Sequence, residues 1–134
     1  MKTKIGLLGA VAALALGIAA TAVAADPTLE IERKSRLDGG VVTVRVEYSC
    51  DWTSAALSLS VSQQRRDVGG TTVSTDVVCD GATHTLAVEV FGEGAGGQPT
   101  PFRHGPALVS AELVGCTTEC GLSLPAARDI RIAG

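Results

Sequence analysis

The chain contains no asparagine, only one methionine and two histidines, and a single lysine (Lys34) beyond its first 25 residues. Without Asn there is no N-glycosylation sequon. Aromatic side chains are equally sparse, and Tyr48, Trp52, Phe91 and Phe102 are the complete set. Four rings cannot line the cleft that a glycosidase-type pair of carboxylates needs, so any core must be built from Val, Leu, Ile and Ala. No G-x-S-x-G motif is present, which leaves nucleophilic chemistry without its usual machinery. Acidic residues outnumber basic ones by 14 to 11, with no basic stripe of the kind nucleic acid demands.

What is present first is a leader. Lys2 and Lys4 precede an uncharged apolar run from Ile5 to Ala20, and Ala22-Val23-Ala24 fits the small-x-small rule for cleavage. Residues 1–25 therefore read as a cleaved signal peptide, and 26–134 as one secreted, extracellular domain. The run approaches the length of a transmembrane anchor, but its Ala/Gly content and its cleavage site favour removal. No cysteine near the cut could carry a lipid anchor. Loss of the two lysines moves the formal charge from −3 to −5. The Arg bias and missing Asn suggest a bacterial gene.

Four cysteines follow, Cys50, Cys79, Cys116 and Cys120, an even number that in an exported chain implies disulfides. Of three connectivities, Cys50–Cys79 with Cys116–Cys120 is expected, because Thr117-Thr118-Glu119 can close a tight loop. On a chain-entropy account the long loop contributes about 3.5 kcal/mol and the short one about 2 kcal/mol. A metal or redox reading of C-x3-C lacks companion ligands, and bonded cysteines offer no thiolate.

Apolar and polar residues then alternate with period two. Val42, Val44, Val46, Tyr48 and Cys50 share a face opposite Thr43, Arg45, Glu47 and Ser49. Similar runs are expected to form strands at 29–33, 57–62, 73–79, 85–90, 109–113 and 129–133. Asp38-Gly39-Gly40, Gly69-Gly70 and Cys79-Asp80-Gly81 read as hairpin turns, and Gly92–Pro101 as a flexible loop. Seven short strands imply an all-β, immunoglobulin- or fibronectin-III-like antiparallel sandwich, with a barrel as the alternative.

Alternating strand directions would gather Cys50–Ala55, Asp80–His84 and Cys116–Arg128 at one end, pinned by both disulfides. Asp38–Gly40, Gln63–Gly70 and Gly92–Pro106 would gather at the other. Asp51, Trp52, Asp80 and His84 are accordingly the candidate binding residues, since loops on a rigid scaffold carry recognition. Asp51 and Asp80 alone fall short of the six to eight oxygens around Ca2+. His84 and His104 should lie at opposite ends, too far apart for a shared metal. Arg65-Arg66 reads as a solvated turn. No catalytic, cofactor or metal residue is assigned.

The layout of DGG, VVTVRVEYSC, CDGATHTLAVEV, a Gly/Pro loop and GPALVSAEL resembles small secreted bacterial β-sandwich proteins of unknown function. GCTTECGLSL is similar to the short disulfide hairpin of the neocarzinostatin-type chromoproteins, which implies small-molecule carriage as an alternative role. The wide Cys50/Cys79 spacing and the lack of aromatics depart from that family. The expectation is a monomeric, non-enzymatic module that binds a protein or surface partner, without cofactor, nucleic acid or membrane association after cleavage.

Overall fold

The computed structural model describes residues 26–133, so the leader at 1–25 lies outside the described residues. No described helix is long and apolar enough to cross a membrane. The eight strands are β1 (Thr28–Ile31), β2 (Lys34–Asp38), β3 (Val41–Ser49), β4 (Ser54–Gln63), β5 (Val68–Ser74), β6 (His84–Val90), β7 (Gly105–Cys116) and β8 (Cys120–Ala133). They form an all-β sandwich. In one layer β3 lies between β6 on one side and β1 with β2 on the other; the second layer runs β8-β7-β4-β5. Strand β2 stitches the layers together. It pairs antiparallel with β3 at Arg36↔Thr43 and parallel with β8 at Lys34↔Arg131.

The alternation read from the sequence is the cause of this packing. Val42, Val44, Val46 and Tyr48 of β3 and Val88 and Val90 of β6 face Leu57, Leu59 and Val61 of β4 and Val109, Ala111 and Leu113 of β7, in one continuous core. Each fully buried Val or Leu contributes about 1.5–3 kcal/mol relative to an exposed one. Phe102 and Trp52 close the two ends of that core. The paired strands β7 and β8 join through Thr117–Glu119, and the first layer passes to the second between β3 and β4.

Six expectations need correction. Residues 120–128 are strand, not loop: β8 pairs with β7 from Cys116↔Cys120 to Gly105↔Ile132. Pro125 is tolerated there because β2 reaches β8 only at Arg131–Ala133, so the proline sits where β8 is an edge. Gly69 and Gly70 lie within β5, and the reversal before them is the 3-10 turn Gln64–Arg66 with Asp67 at φ 52°. The strand expected at 73–79 is displaced to Val68–Ser74, and Cys79-Asp80-Gly81 is not a hairpin, since β5 ends at Ser74 and the chain crosses there from one layer to the other.

Finally, Gly92–Pro101 is a hydrogen-bonded turn. Gly94 N–H donates to Gln98 O at 2.8 Å, and Thr100 N–H to Gly92 O at 3.0 Å. The expected first strand at 29–33 also breaks in two at Glu32 and Arg33, giving β1 and β2.

Candidate functional site

Both disulfides form as expected, Cys50–Cys79 with Cα atoms 4.7 Å apart and Cys116–Cys120 at 4.0 Å. They lie at one end of the sandwich, where β3, β5 and β7 finish and β4, β6 and β8 begin. The cross-links are reinforced by polar contacts. Tyr48, buried at the end of β3, accepts the Val78 N–H on its hydroxyl at 2.9 Å. Gly81 N–H donates to Cys50 O at 2.7 Å, and Thr53 N–H to Cys116 O at 2.8 Å. The segment 75–83 is thus tied to β3 covalently and through two backbone amides.

Trp52 has a different role from the one its loop position suggests. Only 8% of it is exposed, and it lies across the backbone of Gly115 in β7. A Cβ on Gly115 would stand 2.5 Å from the indole Cε3 and 2.3 Å from Ser54 O, so this approach requires glycine. Trp52 is a wedge that seats the β3–β4 loop on β7, and it offers little surface to a partner.

Asp80 and His84 do meet. His84 Nε2 lies 2.8 Å from Asp80 Oδ1, and because a carboxylate only accepts, Nε2 carries the proton. Ala82 N–H donates to the same oxygen at 2.9 Å, closing an Asx turn. The hydrogen bond from His84, then that from Ala82, hold the exposed Asp80 carboxyl below its ordinary value. The imidazole also lies against the Tyr48 ring, with centroids 5.9 Å apart. Asp51 is exposed on the neighbouring loop. Among the described residues no three His, Cys, Asp or Glu side chains converge as metal ligands. His104 is exposed in the β6–β7 connection, at the far end from His84.

Compared with known families, curated proteins and solved structures, the chain matches none significantly. The chemistry of the site therefore rests on its own residues. Placing the charges on the fold reveals a partition that the linear sequence hides. Residues 46–64, 67–102 and 104–127 contain no Lys or Arg. The pinned loops carry Asp51, Asp76, Asp80 and Glu119, all exposed. Arg65, Arg66 and Arg103 lie at the opposite end among the exposed acids Asp38, Asp67 and Glu93. Lys34, Arg36, Arg128 and Arg131 lie at or near the place where β2 meets β8, so it is the bases, not the acids, that are confined. Two exposed apolar side chains missed by sequence reasoning lie beside the acidic end, Val78 at 50% and Val73 at 63%, while Phe91 and Leu108 are exposed toward the opposite end. Nothing in the alternation distinguishes an outward Val from an inward one at a strand end, which is why they escaped notice.

Proposed function

We propose that the protein is an exported, non-catalytic binding module whose disulfide-pinned end recognises a cationic protein or surface partner. The observation that carries this reading is the charge partition: four exposed carboxylates stand on loops free of Lys and Arg. A concentrated single-signed surface steers and selects an oppositely charged partner. Loops already tied by two disulfides lose less freedom on association than mobile ones, so less of the contact energy is spent in ordering them. Export is supported by the leader and by the paired cysteines, which persist in oxidising compartments.

The small-molecule carrier is the weaker reading. It requires a hollow between the layers, and that space is taken by Tyr48, Phe102, Leu57, Leu59 and Leu113. The well-formed hollows open on the outside, for example beside Arg65, Arg66, Leu108 and Asp129. The direct test is titration of the oxidised protein with a Lys-rich decapeptide against a triple variant, Asp51→Asn, Asp76→Asn and Glu119→Gln. None of these three side chains has a hydrogen-bond partner within the described protein, so folding should be unaffected. Affinity should fall roughly tenfold in the variant, as expected for three solvent-exposed pairs, and should fall with salt. Equal binding by both proteins would remove the basis of the reading.

A further inference from the structure

Strand β5 is an edge of its layer, and the chain itself shows how that edge accepts a partner. On one side β5 pairs with β4 from Gln63↔Val68 to Leu57↔Ser74. On the other, Gly69 exchanges two hydrogen bonds with Glu93 in an antiparallel bridge, at 3.0 and 2.7 Å. Backbone groups of a strand point to alternate sides, so the N–H and C=O of Thr71 and Val73 face the same way as those of Gly69. Because the bridge is antiparallel, the residues that follow Thr71 and Val73 past it are those before Glu93, and these run back into β6, which forms its ladder with β3 and not with β5.

The edge is also undefended. VGGTTVS contains no Lys and no Pro, and its register with β4 runs without a bulge, whereas exposed edges usually carry at least one such guard. It borders an open groove of about 520 Å3 whose far wall is β6, and Thr72 Oγ1 spans the two by donating to Glu89 O at 2.9 Å. The groove contains Val73 and Phe91, the two most exposed large apolar side chains of the described residues at 63% and 65%. Its charged members, Asp76 and Glu89, are both acidic.

We infer that β5 is a strand-addition site for an extended, basic segment of a partner protein. The segment pairs antiparallel with Thr71 and Val73, continues the ladder that Glu93 begins, and enters past Asp76 from the pinned end. Apolar side chains at alternate positions cover Val73 and Phe91, while basic ones meet Asp76 and Glu89. A second copy of this chain is a poorer occupant, because self-pairing would set acidic residues against their own counterparts. The inference rests on the reading of the pinned end as a surface for cations and names the form its partner takes.

The test uses the oxidised protein and a decapeptide of alternating Val and Lys, beside the same peptide N-methylated on one edge. N-methylation keeps charge and side chains but removes the pairing N–H groups. The proposal expects the methylated peptide to bind about tenfold more weakly, as for two or so lost hydrogen bonds, and expects Thr71 and Val73 amides to gain exchange protection with the unmodified peptide. Val73→Pro, which deletes an outward N–H while sparing the β4 ladder, should weaken binding similarly. Equal binding of both peptides, with responses confined to Asp51, Asp80 and Glu119, would overturn strand addition and leave the acidic-end reading standing. Absence of binding by either would overturn both. Protection of Thr71 and Val73 in a dimer without peptide would also overturn the proposal.

Discussion

At one end of the sandwich the loops are tied by two disulfides; at the other they are tied by an amide side chain and by a glycine that lets two backbones touch. Gln63, 97% hidden at the end of β4, holds the β6–β7 connection through Arg103: its Nε2 donates to Arg103 O at 2.8 Å, and its Oε1 accepts Arg103 N–H at 3.0 Å. Gly70 lies so close to the end of β6 that a Cβ would stand 2.1 Å from Phe91 O. The covalent end carries exposed acids and no Lys or Arg, while the non-covalent end carries Arg65, Arg66 and Arg103 among Asp38, Asp67 and Glu93. The difference teaches that cross-links have been placed where the surface is polar and loop-built. A long connection such as 75–83, with few apolar side chains to bury, cannot be held by packing alone, and a disulfide supplies the constraint.

The comparison is broken most severely by removing the longer cross-link. Cys50→Ser with Cys79→Ser should cost about 2–5 kcal/mol, read as a lowered urea midpoint; the Cys116/Cys120 pair should cost less because its loop is short. Next comes steric intrusion on either end. Gly70→Ala and Gly115→Ala each force backbone apart and should destabilise by about 1–3 kcal/mol, seen as a drop in Tm. The second should also raise Trp52 fluorescence quenching by solvent, and the first should not.

Gln63→Leu then removes the clamp and leaves the Arg103 amide and carbonyl unmatched, at about 1–3 kcal/mol. Hydrogen exchange at Arg103 would report the loss, with the pinned end unaffected.

The smallest effect concerns Asp80. Its carboxyl is held below the ordinary value, so its bond with His84 contributes stability above that value, and the contribution is lost as pH falls through the lowered one. Asp80→Asn should therefore be slightly less stable than the parent at neutral pH, and the two Tm curves should converge in strong acid.

Much of this architecture is readable from period-two alternation, because a residue's side of a strand follows from counting. The core of β3, β4, β6 and β7 and the shared end of the disulfides follow directly from it. What the alternation concealed has physical causes. Gly69-Gly70 looks like a turn because glycine serves both turns and close approaches, and only the position of Phe91 decides between them. Leu122, Leu124 and Ala126 continue the pattern of β8 through Pro125, a residue that an edge strand admits and a central one does not. At the candidate site, Asp80 and His84 were recognisable as neighbours four residues apart, but Trp52 was not recognisable as core. Its burial depends on Gly115, more than sixty residues away in sequence. The charge partition needed the fold as well, since arginines separated along the chain become clustered only when β2 meets β8.

The most direct test of the account is residue-by-residue NMR of the oxidised protein during titration with a Lys-rich peptide. The account predicts shifts concentrated at Asp51, Asp76, Asp80, His84 and Glu119, spreading along Thr71 and Val73, with Arg65, Arg66 and Arg103 silent. Shifts centred on those arginines, or spread evenly over both ends, would contradict it.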